Sequence, residues 1–235
     1  MKVMYLTHEY DEEGLSRTHS QDLVKGMVDR GMYVTIVSSP KTDEPLQVLH
    51  GGHVTLRREN VERAFLGGIR GLLYRRSGVN TIKKIASLDV GVDMIVVDGY
   101  GYHDKTYKAL KDCTKALIVC DLISSPILKG DFSKPLSEQY AILKDKQIWC
   151  YCDKVIVGSE VERETLLRVG VATDKVEVIA PWRERRNPNE HLALGGKIDR
   201  GANIDYAPKK ENHASVDKYI SILTTMYIKN KEVIC

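Results

Sequence analysis

The sequence predicts an α/β domain with a mostly parallel sheet and helices on both faces. Three observations lead there. Short apolar runs recur along the chain, among them KVMYLT, YVTIVS, MIVVD, ALIVCD and VIVG. They are near-continuous rather than alternating, as parallel strands covered on both faces should be. Segments with apolar residues at helical spacing separate these runs. The links are short, so each strand–helix–strand unit closes through a right-handed crossover.

The first strand is expected at residues 2–7, followed by a helix from about residue 16 to residue 30. Leu23, Val24, Met27 and Val28 give that helix its apolar stripe, and Gly31 is placed to stop it. Residues 33–38 complete a β-α-β unit. A polar link around PKTDEP leads to a strand near 53–56. In VERAFLGGIRGLLYRR, Val61, Ala64, Phe65, Ile69, Leu72 and Leu73 share one helical face, with Arg63, Arg70 and Tyr74 opposite. A short helix near 81–87 precedes the strand at 94–98. A helix over 104–111, a strand over 116–121, a helix over 137–151, a strand over 155–158, a helix over 160–169 and a strand over 176–179 complete the series. The result is a Rossmann-like domain over residues 1–181.

Length and composition set the bounds. A chain of 235 residues suits one α/β domain with an appendage. No run of 18 apolar residues offers a membrane span, and MKVMYLTHEY has neither the apolar core nor the cleavage site of a signal peptide. A cytoplasmic location is the expectation. Five cysteines without a paired framework read as buried, reduced thiols. Cys150 and Cys152 stand at i, i+2 on the expected helix, where side chains do not share a face, so no metal site is expected there. No D-x-D carboxylate pair stands at a strand end, and no cofactor is expected.

Sheets of this kind bind ligands beyond the carboxyl ends of their strands. The topology therefore shortlists His8, Glu9 and residues 14–19, then Ser39, residues 98–103, Cys120 with Asp121, and Ser159 with Glu160.

Two segments carry a family resemblance. THEYDEEGLSRTHSQDLVKGMVDRGMYVTIVSS resembles the opening of family 4 glycosyltransferases and their relatives of the two-domain GT-B fold. Those begin with a strand, a Gly-rich loop, a helix with a histidine near its start, and then RGHEVTVV, where RGMYVTIV stands here. CDKVIVGSEVERETLLRVGVATDKVEVIA is similar to the end of the same family's N-terminal domain, which a proline-bearing link follows. The two matches bracket residues 1–181 in the right order. They imply the acceptor-side domain of an enzyme that moves a sugar from a nucleotide sugar to an acceptor.

The chain departs from that pattern in three places. The family's paired glycine is Gly14–Leu15 here, and its "VHD"-like motif, with a histidine implicated in catalysis, is Cys120–Asp121. Only 54 residues follow Pro181, too few for the donor-binding domain with its E-x7-E motif. Residues 182–214 read as a polar linker or loop. Residues 215–230 carry Val216, Tyr219, Ile220, Leu223, Tyr227 and Ile228 at helical spacing, with Ser215 as N-cap. That segment resembles the helix with which GT-B enzymes close back on their N-terminal domain. The resemblance then implies a donor-binding partner subunit or a second copy of the chain.

Within this frame the backbone around Gly14 and Ser16, with Arg17 and His19, would bind a substrate hydroxyl or phosphate. A solvent-facing helix start is the plain alternative. Tyr100 and Tyr102 offer an aromatic edge for a sugar, and His103 an imidazole for proton transfer. Asp121 would accept a bond from a sugar hydroxyl or act as base, although an aspartate there also suits a helix cap. Residues 57–84 hold eight cations against two glutamates, a local excess of +6 in a chain of net charge +3. Arg63, Arg70, Arg75 and Arg76 could meet an anionic membrane or an acidic partner. Sparse aromatics there argue against nucleic acid. The competing reading is a non-catalytic binding module that works through this basic region.

Overall fold

The computed structural model describes residues 1–7, 10, 19–38, 46–58, 91–98, 104–123, 148–182 and 211–234. Its elements are β1 (Lys2–Leu6), α1 (His19–Val28), β2 (Tyr33–Ser38), β3 (Leu46–Leu49), β4 (Val54–Arg58), β5 (Met94–Asp98), α2 (Asp104–Cys113), β6 (Leu117–Asp121), α3 (Ile148–Tyr151), β7 (Lys154–Val157), α4 (Glu160–Arg168), β8 (Val176–Val178) and α5 (Glu211–Ile234). The strands form one sheet in the order β3-β4-β2-β1-β5-β6-β7-β8. All pairs are parallel except β3 with β4.

Continuous apolar strands must fill two cores, and here they do. Val3 and Tyr5 of β1, Met94 and Val96 of β5, and Val119 of β6 pack beneath α1 and α5. Met4, Leu6, Ile95, Val97, Ile118 and Cys120 point the other way, toward Tyr107 and Leu110 of α2 and Leu166 of α4. The chain grows from β1 outward to β2 and β4, then returns to lay β5, β6, β7 and β8 on the other side of β1. The order thus reverses between β1 and β5, and the crevice for a ligand opens at their carboxyl ends.

Helix α5 crosses the sheet over the first of these cores. Val216, Tyr219, Ile220 and Leu223 are buried against it. Glycine at position 26 of α1 lets the two helices approach: a Cβ there would stand 2.6 Å from Val216 Cγ1 and 2.7 Å from Ile220 Cδ1. At the helix start Arg30 pairs with Asp217, and Lys218 Nζ donates to the Val178 carbonyl at 2.8 Å. Near its end Lys231 reaches Asp93, which precedes β5, at 3.5 Å. The helix thus ties together the end of α1, the end of β8 and the start of β5.

Several expectations are corrected. The link around PKTDEP runs into an unforeseen strand, β3, whose four residues LQVL are too short to show a period and which pairs antiparallel at the sheet edge. Helix α5 begins at Glu211, so Ser215 lies inside it and is not its cap. Cys152 lies beyond the end of α3, and Cys113 and Cys150 are exposed, so not all thiols are buried. The expected helices within residues 61–76 and 81–87, most of that over 137–151, and the polar segment up to residue 210 lie outside the described residues.

Candidate functional site

Three strand ends and one helix start converge on the crevice. β1 delivers Thr7, β5 ends at Asp98, β6 ends at Asp121, and α1 opens with His19 and Ser20. Asp121 ends its strand by turning the chain: its Oδ1 accepts from the Ile123 N–H at 2.9 Å, an aspartate bonding its own backbone two residues on. Pleating sends successive side chains to opposite faces. Cys120 is therefore carried away from the crevice into the other core, where its Sγ accepts from the Tyr107 hydroxyl at 3.2 Å. It does not take up a histidine's place at the site, and Asp121 alone of the pair faces α1.

His19 meets Asp121 there, Nε2 to Oδ2 at 3.0 Å. Asp121 is fully buried, and the imidazole is 12% exposed. Trp182, just past β8 and Pro181, lies over the imidazole with ring centroids 3.8 Å apart and planes within 19°. Tyr219 of α5 meets that indole edge-on at 6.1 Å and 89°. Beside this group Asp98 Oδ2 accepts from Thr7 Oγ1 at 3.0 Å and Ser20 Oγ at 3.1 Å.

Three buried polar groups at the site, the Tyr5 and Tyr219 hydroxyls and Trp182 Nε1, have no hydrogen-bond partner among the described residues. Both phenols still lie within electrostatic reach of the carboxylates. Burial, then the charges of Asp98 and Asp121, push Tyr5 well above its ordinary value. Burial, then Asp121, do the same for Tyr219. Both stay neutral and able to donate. No cluster of three or more His, Cys, Asp or Glu suited to a metal occurs among the described residues.

A carboxylate that accepts from one imidazole nitrogen fixes the ring and leaves the other nitrogen as the basic one. With Nε2 on Asp121, His19 can take a proton at Nδ1 while Asp121 balances the charge that forms. Of the residues singled out in the sequence, His19 and Asp121 are brought together. Gly14, Ser16, Arg17, Tyr100, Tyr102, His103, Arg63, Arg70, Arg75 and Arg76 lie outside the described residues. Thr7, Ser20, Trp182 and Tyr219 were not foreseen as site residues. Thr7 follows β1 directly, so the strand-end rule could have found it, whereas Trp182 stands four residues beyond the end of β8. Tyr219 gave no signal beyond a hydroxyl in an apolar stripe.

No protein-family model and no curated protein matches the sequence. Solved structures do match in fold. Sucrose-phosphate synthase from Thermosynechococcus elongatus superposes with a TM-score of 0.53 at 14% identity, over 84% of this chain and 53% of that one. The trehalose-6-phosphate synthase OtsA gives 0.52 at 14% identity, over 84% of this chain and 52% of that one. A shorter form of the sucrose-phosphate synthase, bearing segment numbers 27–220 and 406–426, gives 0.50 at 15% identity over 83% of this chain and 94% of that one. The fold is thus α/β and Rossmann-like, resembling half of a GT-B glycosyltransferase. The chain spans about half the length of the full-length synthases it matches. Among the described residues no helix is long and apolar enough to cross a membrane.

Proposed function

We propose that this chain is the acceptor-side half of a GT-B glycosyltransferase, with His19 as general base and Asp121 as the group that orients it. The observation that carries the reading is the His19–Asp121 pair at the sheet's switch point. An acceptor hydroxyl held against His19 would pass its proton to Nδ1 as its oxygen bonds the anomeric carbon. The nucleoside diphosphate would leave with the electron pair of the broken bond. Asp121, dry and within 3.0 Å, would stabilise the imidazolium more than a solvated carboxylate could. Gly14, Ser16, Arg17, Tyr100, Tyr102 and His103, which follow β1 and β5 in sequence, would complete the acceptor site. A family 4 type of enzyme is supported by the two sequence segments, and a cytoplasmic site of action by the free thiols among the described residues. The sugar nucleotide would be held by a separate donor-binding subunit or a second copy.

The test has two arms. Free sugars and sugar phosphates should raise the melting temperature of the full chain, since a ligand at 100 times its dissociation constant adds about 2.7 kcal/mol. Nucleoside diphosphates alone should not. In a transfer assay with a panel of nucleotide sugars and cell-extract fractions supplying the partner, His19→Ala should cost roughly 10²- to 10⁴-fold in rate. A His19→Ala protein that transfers sugar at the wild-type rate would overturn the reading.

One observation favours a second reading, a non-catalytic binding module. Asp121 is wholly buried and Trp182 covers the imidazole, which leaves an acceptor a narrow approach. On that reading residues 57–84 engage an anionic membrane, and sedimentation with vesicles containing phosphatidylserine, lost on Arg70→Glu with Arg75→Glu, is the expected result.

A further inference from the structure

The imidazole of His19 is held from two directions by different chemistry. In its plane stands the Asp121 carboxylate, and over its face lies the Trp182 indole. An indole face stacked at 3.8 Å stops the imidazole from tilting out of the plane in which it meets the carboxylate. Trp182 is only 2% exposed, so its own ring is held by packing on all sides.

The indole is itself positioned by the far end of the chain. Tyr219 packs edge-on against it, and Tyr219 sits on the part of α5 that Val216 and Ile220 lock against Gly26. We infer that Trp182 is a positioning residue for His19, and that the docked C-terminal helix, acting through Tyr219, holds the stack that readies the imidazole to accept a proton. The site is then assembled from α1, β6, the segment after β8 and α5, and undocking α5 disassembles it. The groups facing the ring are Asp121 from β6, Trp182 after β8 and Tyr219 of α5 behind the indole. Asp98 of β5 and Tyr5 of β1 lie in the same buried cluster. This deepens the proposed function and rests on it for its catalytic meaning, yet its readout needs no turnover.

The chain has two tryptophans, so Trp149→Phe leaves Trp182 as the sole indole. In that background, Trp182 emission should change when the stacked ring is removed in His19→Gln. Ring C–H signals of His19, followed by NMR, should lie upfield under the indole face and move downfield in Trp182→Leu. Trp182→Phe keeps an aromatic face and should restore most of that displacement, which a merely structural role would not do. Gly26→Leu should push α5 away and move both the emission and the ring signals as breaking the stack does, while the far-ultraviolet circular dichroism of the sheet domain persists. Emission unchanged by His19→Gln, or unmoved His19 ring signals in Trp182→Leu, overturns the inference. Failure of sugar transfer with these spectroscopic results intact would sink only the catalytic reading.

Discussion

The phenols at the site give the clearest residue-scale expectation. Tyr5 and Tyr219 are raised above the ordinary value of 10.0 in the folded chain, chiefly by burial. Below about pH 10 folded and unfolded states both keep these protons, and stability does not depend on them. Above it the unfolded chain loses its protons first, so stability falls as pH rises, until the folded values are passed. The slope is about 1.4 kcal/mol per pH unit for each phenol. Tyr219→Phe should remove about 1 kcal/mol of the fall in urea-derived stability between about pH 10 and 11, where the unfolded phenol is still only partly ionised. At neutral pH it should be neutral or stabilising, because it removes a buried hydroxyl that has no hydrogen-bond partner among the described residues. A loss of more than about 1 kcal/mol at neutral pH would show that the hydroxyl is bonded after all.

The thiols make a second test at this scale. Burial, then a bond to Cys120, raise the Cys152 thiol well above its ordinary range. Iodoacetamide with peptide mass mapping should label Cys113 and Cys150 in the native chain, and Cys120 and Cys152 only after unfolding. Labelling of native Cys152 at the rate of Cys150 would contradict the packing. His19 and Asp121 were legible in the sequence because strand-end residues of a parallel sheet meet at one edge. Trp182 was not read as their neighbour, because its place on His19 depends on where β8 ends and on Tyr219 from far along the chain.

At the scale of elements, α4 and α1 show what local sequence can and cannot specify. Ser159 caps α4 by accepting from the Glu162 N–H at 3.3 Å, and Glu162 Oε2 returns to the Gly158 N–H at 2.7 Å. That reciprocal arrangement fixes the helix start the sequence predicted. Ser159→Ala should cost about 0.5–2 kcal/mol in a urea melt. Strand β3 escaped notice because four residues at an edge carry no resolvable period. Gly26 reads in sequence as a weak point in a helix, yet it is where α5 touches α1. Gly26→Ala would gain about 1 kcal/mol of helix propensity. The Cβ clash with the short, stiff Val216 side chain would cost about 1–3 kcal/mol, so a net loss is expected. A Gly26→Ala protein more stable than wild type would show that the helices part at no cost.

At the scale of the whole molecule, the question is whether α5 is an ornament or half of a core. The seven-stranded run from β4 to β8 is parallel and its central strands are buried on both faces, so each face needs a cover. On one face α2 and α4 supply it; on the other, α1 shares the task with α5. Four α5 side chains, Val216, Tyr219, Ile220 and Leu223, are buried there. At about 1.5–3 kcal/mol for each large apolar side chain, an upper estimate, they contribute an amount comparable to the 5–15 kcal/mol by which a domain is stable. A chain ending before Glu211 should therefore lose cooperative melting, keep much of its far-ultraviolet signal and bind a hydrophobic dye. A synthetic peptide of residues 211–234 should restore the sharp transition. If the truncated chain melted cooperatively at the wild-type midpoint, α1 alone would cover that face. Tyr219 would then have no mechanical purchase on Trp182, and the site at His19 would have to stand on Asp121 alone.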